Sequence, residues 1–199
     1  MKTRLRLFIV IFCLFFTWAV FAHAQAEEWM IDKDHSSIYF DSKHKYVTVR
    51  GLFGDFSGTV AFDPEDADGS RVDFTVKVES IDTNIDRRDE HLRSADFFEV
   101  ETYPEMTFSS RQISHVKDNR YIMKGALTIK SVTKEVSIPF TYLGLGDNPF
   151  VEGQKMAAFE ADFTINRLDY NVGTGQFAEM GVVGKDVRIL IALQILKDS

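Results

Sequence analysis

The chain is 199 residues long, carries a formal charge of −7 and is 45% hydrophobic, with 18 Phe and a single Cys. That length suits one domain able to bury its own core. An acidic surface repels phosphates, which argues against nucleic acid as a partner, and one cysteine excludes a disulfide framework within the chain.

The first 24 residues read as an export signal. Lys2, Arg4 and Arg6 precede an apolar run over residues 7–22, and Ala22-His23-Ala24 supplies a small–x–small cleavage site. Ala24-Gln25-Ala26 fits equally well, so cleavage falls after Ala24 or Ala26. Thr17 interrupts the run, which is shorter than the roughly 20 apolar residues of a comfortable span; an uncleaved anchor is the alternative. Cys13 follows the bulky Val10-Ile11-Phe12 and is no lipoprotein site. Loss of the three basic residues takes the charge from −7 to −10, and 13 of the 18 Phe remain. The expectation is a periplasmic protein, with residues 25–199 as one domain.

Beyond the signal the dominant period is two. Short apolar alternations at residues 37–40, 46–49 and 59–62 lead to Val72, Phe74, Val76 and Val78, which alternate with Asp73, Thr75, Lys77 and Glu79. Residues 85–94 break the pattern and predict a short surface helix, with Thr83 or Asn84 as its cap and Asp89 and Arg93 spaced as an i,i+4 pair. Alternation resumes at 106–109 and 121–129. It then runs through Val136, Ile138, Phe140 and Tyr142, through Ala157, Phe159, Ala161, Phe163 and Ile165, and through Val187, Ile189, Ile191, Leu193 and Ile195. Each such segment is a strand with one buried face. Turns are expected at residues 63–70, 117–119 and 144–149. Short strands without intervening helices make an all-β antiparallel sandwich or barrel. The apolar faces either fill a core or line a cavity, and composition does not separate the two.

The chain carries no recognisable catalytic motif. There is no G-x-S-x-G, and His35, His44, His91 and His115 lack metal-ligand spacing, so no catalytic, metal or cofactor residue is assigned. Residues 63–70 resemble a calcium loop, but its frame would put Pro64 at position 1 and Thr75 at position 12, neither a carboxylate. Gly173-Thr174-Gly175-Gln176-Phe177-Ala178 matches a dinucleotide fingerprint in letters only, since no strand–helix–strand unit surrounds it. Its glycines suit a loop with positive φ.

Six motifs in order carry a resemblance. Trp29-x-Ile31-Asp32-x-x-His35-Ser36 leads to Gly51-x-Phe53-x-x-Phe56-x-Gly58. Arg88-Asp89-x-His91-Leu92-Arg93-Ser94-x-Asp96-Phe97-Phe98 then precedes Tyr103-Pro104-x-Met106-x-Phe108. Gly125-x-Leu127-Thr128-Ile129-x-x-Val132-Thr133-Lys134 and Ile165-Asn166-Arg167-x-Asp169-Tyr170 complete the set. The chain resembles the YceI-like family of exported, polyisoprenoid-binding, lipocalin-like proteins over nearly its whole length. It departs at Lys130-Ser131, where the family often has a glycine.

The resemblance implies an extended antiparallel lipocalin-like β-barrel of about eight strands, a short helix near its mouth, and an apolar tunnel for a long-chain isoprenoid or other amphiphilic lipid. Phe40, Val76, Phe108, Phe140, Phe159 and Phe163 are the expected wall of that tunnel. His35, Arg88, His91 and Arg93 match polar motif positions, either around a lipid head group or as ties between the first strand, the helix and the barrel. The function implied is lipid transport, storage or buffering, without catalysis; an enzyme acting on an isoprenoid lipid and an envelope stress protein with an incidental cavity are the alternatives. Transient membrane contact and homodimerisation are compatible with this reading.

Overall fold

The computed structural model describes residues 26–198, so the expected export signal, residues 1–24, lies outside the described residues. The strands are β1 (Glu28–Ile31), β2 (Ser37–His44), β3 (Val47–Phe53), β4 (Phe56–Ala61), β5 (Arg71–Lys77), β6 (Ile81–Asp82), β7 (Glu105–Lys117), β8 (Arg120–Ile129), β9 (Val132–Asp147), β10 (Gln154–Asn166) and β11 (Val183–Asp198). Two short helices, α1 (Asp86–Arg93) and α2 (Gln176–Glu179), complete the fold.

The eleven strands make one sheet that closes on itself. Three of them continue the strand before: β2 follows β1 across a 3-10 turn at Lys33–His35, β4 follows β3 across Gly54 and Asp55, and β6 follows β5 across a 3-10 turn at Val78–Ser80. Eight antiparallel staves result, each beside its neighbour in the chain, and β11 closes the ring by pairing with both β1 and β2. An eight-stranded ring is wide enough to hold side chains or one ligand.

The closure gives Asp32, His35 and Ser36 a common place in the fold. Asp32 caps the 3-10 turn by accepting the Asp34 N–H, and its other oxygen takes His35 Nδ1 at 2.8 Å and Gln194 Nε2 at 2.7 Å. The Asp32 N–H donates to the Gln194 carbonyl, and Ser36 Oγ accepts the Gln194 N–H. Where the first stave breaks from β1 to β2, both halves are thus pinned to one residue of β11.

The interior is packed in three regions. At one end Phe62, just past β4, meets Tyr121, Phe140, Tyr142 and Phe159 with ring centroids 5.1–5.8 Å apart. The 63–70 turn rises beside this cluster, and Ala67 packs on it. That turn is held by Ser70 Oγ and by the Asp66 carboxylate, which accepts the Gly69 N–H, as a hairpin connection rather than a calcium loop. A middle region centres on Ile38, Phe40, Phe53, Phe56, Val78 and Ile81. At the other end Phe97, Ile129, Tyr170 and Val172 pack together.

Several expectations shift in detail. Gly144 to Asp147 form strand rather than turn: they pair with Ala158 to Lys155, and a bulge at Ala158/Phe159 absorbs the irregularity, leaving residues 148–153 as the connection. Gly144, at φ 134°, allows β9 to bend there without ending. Val78 lies in a 3-10 turn although still buried. α1 forms where expected, but its N-cap is Ile85, and neither Thr83 nor Asn84 caps it. Asp89 and Arg93 do not pair with each other, because each is drawn to backbone or side-chain groups at the end of β6.

Candidate functional site

The inward faces of the staves enclose a cavity of about 240 Å³. It runs from the Phe62 end, past Phe74, Val76, Met106 and Phe108 on one wall and Val187, Ile189, Ile191 and Leu193 on the other, to Val172 and Val183. Apolar cavities of about 150 Å³ already stay dry and accept apolar guests. Water gains almost nothing here, whereas each square ångström of apolar ligand surface transferred in is worth about 25 cal/mol.

Phe40, Val76, Phe108, Phe140, Phe159 and Phe163 all line this space. They come from five staves, Phe159 and Phe163 sharing β10, and alternation alone turns them inward together. Phe40, Phe108, Phe140 and Phe159 are buried, while Val76 and Phe163 are half-buried.

The polar candidates stand elsewhere. Arg88 donates from Nε to Thr83 Oγ1 and from Nη2 to the Thr83 carbonyl, both at 2.6 Å. Arg93 donates to the carbonyls of Glu79 and Ile81 at 2.9 and 2.8 Å. His91 meets Asp96 at 3.0 Å and packs edge-on against Phe97 and Phe177. His35 sits on Asp32, with most of its ring exposed. None of the four is in the cavity wall; the bonds of Arg88 and Arg93 run from α1 to residues 79–83 around β6, His91 bonds just past the helix, and His35 bonds within the first stave.

Two polar groups that do reach the cavity were not singled out from the sequence. Arg167 is only 6% exposed, and its guanidinium is gripped by backbone: Nε by Gly184 O at 2.8 Å, Nη1 by Val172 O at 2.6 Å and by Gly173 O, and Nη2 by Val183 O at 3.0 Å. Burial pushes its ionisation downward from the ordinary arginine value. Gly173 makes this grip feasible. It sits at φ 62°, and a Cβ there would stand 2.7 Å from Arg167 Nη1 and 2.5 Å from Phe97 Cε1. Ser42, on β2, follows Ile38 and Phe40 on the inward face. Arg167 lies within the Ile165–Tyr170 motif, but the carbonyls that hold it come from the loop at Val172 and Gly173 and from the start of β11, 5–17 residues away, so no local pattern marks it.

The YceI-like domain model matches residues 29–195. The chain belongs to the YceI-like family. The UPF0312 protein ECA1782 of Pectobacterium atrosepticum is 38% identical over 174 residues, covering 86% of this chain and 87% of the relative. Protein YceI of Salmonella newport is 36% identical over 174 residues, with the same coverages. Among solved structures, BcnA of Burkholderia cenocepacia matches with a TM-score of 0.75 and 30% identity, covering 82% of this chain and 98% of that one. A polyisoprenoid binding domain from Saccharophagus degradans shares the fold, with a TM-score of 0.63 and 18% identity over 86% of this chain and 98% of that one.

In this YceI-like barrel the departure at Lys130 has a structural account. Lys130 takes φ 53° in the β8–β9 turn, a conformation glycine adopts more readily. Its side chain returns something for that strain: Nζ donates to the carbonyls of Phe97 at 3.1 Å and Asn171 at 3.4 Å and pairs with Glu99 at 3.3 Å. The ammonium thus ties together two loops that cover the Arg167 end. Among the described residues, no group of three or more His, Asp, Glu or Cys side chains is arranged to hold a metal, and no helix is long and apolar enough to cross a membrane.

Proposed function

We propose that this protein is exported and carries the tail of a long-chain isoprenoid or similar amphiphile inside its barrel, for transport, storage or buffering. Residues 25–199 act as one lipid-binding domain, and Phe40, Val76, Phe108, Phe140, Phe159 and Phe163 are the tail-contacting wall. The observation that carries this reading is the enclosed cavity, walled by inward-facing apolar side chains from every side. A related fold is described as polyisoprenoid-binding in Saccharophagus degradans, which is in keeping with a long apolar guest. A site built of apolar surface with few polar groups suits holding rather than turnover.

Exchange with a bilayer would use the rim of the Arg167 end. The Lys45 N–H donates to Val182 O, which sets the β2–β3 turn beside the loop after α2. Tyr46, Val47 and Met180 stand exposed there, at 93%, 62% and 58%.

The test is to purify the processed protein from its native host, record its intact mass under non-denaturing conditions and extract bound lipid in parallel. A stoichiometric adduct that extracts as a long-chain amphiphile is expected. Protein that is uniformly free of lipid, and stays so when offered isoprenoids, would overturn the reading.

A further inference from the structure

Arg167 brings a positive charge into the barrel without a counter-ion. Four of its five N–H groups donate to neutral carbonyls, which orient the guanidinium but do not neutralise it. Three acidic groups at this end are engaged elsewhere, Glu99 with Lys130, Asp169 with Lys134 and Asp96 with His91, and among the described residues no carboxylate forms a salt bridge with Arg167. An uncompensated charge in a low-dielectric site is costly, and an anion placed beside it recovers much of that cost.

A second, independent observation points to the same place. Ser42 Oγ is the one buried side-chain nitrogen or oxygen among the described residues that has no hydrogen-bond partner. It lines the cavity with Arg167. The two converge through β11: Ser42 lies opposite Val187 and His44 opposite Val183, and the carbonyls of Val183 and Gly184 are among those that grip Arg167. A buried hydroxyl left unpaired needs an explanation, and a ligand oxygen supplies one.

We propose that Arg167 and Ser42 together receive the anionic oxygen head of a single-tailed amphiphile, a carboxylate or a phosphate monoester, while its tail extends toward Phe62. This rests on the lipid-carrying reading and adds to it a head-group class and an orientation. The remaining Nη2 proton of Arg167 and the Ser42 hydroxyl donate to the head. The apolar wall around them strengthens that pairing. A neutral head recovers hydrogen bonds but not the charge, and a cationic head is repelled.

The experiment uses delipidated, processed protein and four probes with one saturated tail: hexadecanoic acid, hexadecyl phosphate, hexadecanol and hexadecylamine. Each displaces a fluorescent apolar reporter, at a pH where the acid is ionised. The acid or the phosphate is expected to bind roughly tenfold or more tighter than the alcohol, with the amine weakest; the tighter of the two anions identifies the head. Arg167 also holds a loop in place, so Ser42→Ala is the informative variant: it breaks no bond within the barrel, and it is expected to narrow the acid-over-alcohol margin severalfold at an unchanged unfolding midpoint. Equal binding of all four probes would overturn the head-group proposal and leave the tail reading intact. An anion preference untouched by Ser42→Ala would overturn the pairing of the two residues. Binding of none of the probes, the alcohol included, would overturn both.

Discussion

Asp89, on α1, accepts the backbone N–H of Thr83 at 3.0 Å and the Thr83 hydroxyl as well, in a contact shielded from solvent. The same hydroxyl accepts Arg88 Nε, so one threonine at the end of β6 is held from both sides by consecutive residues of the helix. With Arg93 on the carbonyls of Glu79 and Ile81, these bonds lay α1 across the barrel with Leu92 facing inward. Asp89→Ala leaves the Thr83 donors unpaired and is expected to cost about 2–3 kcal/mol. Chemical denaturation measures that loss, and proteolysis within residues 83–103 should accelerate in parallel; an unchanged midpoint would show that the helix is held by packing alone.

Phe163→Gln places an amide in an apolar wall, at about 1–3 kcal/mol when it lacks a partner. The expected result is a folded barrel, by circular dichroism, that retains severalfold less lipid than the parent. Full lipid content in the variant would remove Phe163 from the wall that touches the tail.

Acid sensitivity is expected at the closure. Burial raises the Asp32 carboxyl, but hydrogen bonds from His35 and Gln194 outweigh it and leave the group below the ordinary carboxylate range. A carboxyl whose folded value is depressed adds stability that is complete above the unfolded value of about 3.9 and disappears as pH falls through the folded value. Urea midpoints of the parent therefore drop below that range. Asp32→Asn starts about 1 kcal/mol lower at neutral pH and declines less steeply in acid; parallel curves would refute the assignment.

Lys130→Gly separates strain from fastening. Glycine relieves the left-handed turn, an effect of about 1 kcal/mol or less. The substitution also releases the carbonyls of Phe97 and Asn171. Stability is expected to change little, while an apolar probe leaves the barrel severalfold faster in stopped-flow measurements. Equal release rates would mean the two loops do not control exit.

At the rim, Tyr46→Asp is expected to slow lipid uptake from vesicles severalfold without altering affinity for a monomeric probe. Comparing transfer rates with equilibrium titrations decides this, and a loss confined to affinity would point away from membrane contact.

The alternation of Val72 to Val76, Val136 to Tyr142 and Val187 to Ile195 made the barrel walls legible, because a strand's inward face depends only on its own period. For the same reason all six expected wall residues reach the cavity. The helix was legible as an element, but not in its fastenings: Asp89 and Arg93 have the spacing of a helix pair, yet each finds partners outside the helix that local spacing does not reveal. Phe62 reads as the last residue of a short strand, and its place among four other rings depends on how distant staves converge. Arg167 and Ser42 carry no local signal for a related reason: the carbonyls that hold Arg167 lie 5–17 residues along the chain, and the missing partner of Ser42 Oγ leaves no trace in a sequence.

β11 holds both β1 and β2, and the Asp32–Gln194 contact that secures them joins residues 162 apart in the chain. The other staves pair with their immediate neighbours, so this long-range closure carries the largest loop-entropy cost. Occupancy and ring integrity are therefore linked equilibria. A lipid that binds the closed ring but not the opened sheet adds about 2.7 kcal/mol when its free concentration is a hundred times its dissociation constant. By reciprocity, whatever loosens the ring lowers apparent affinity, even at residues the lipid never touches.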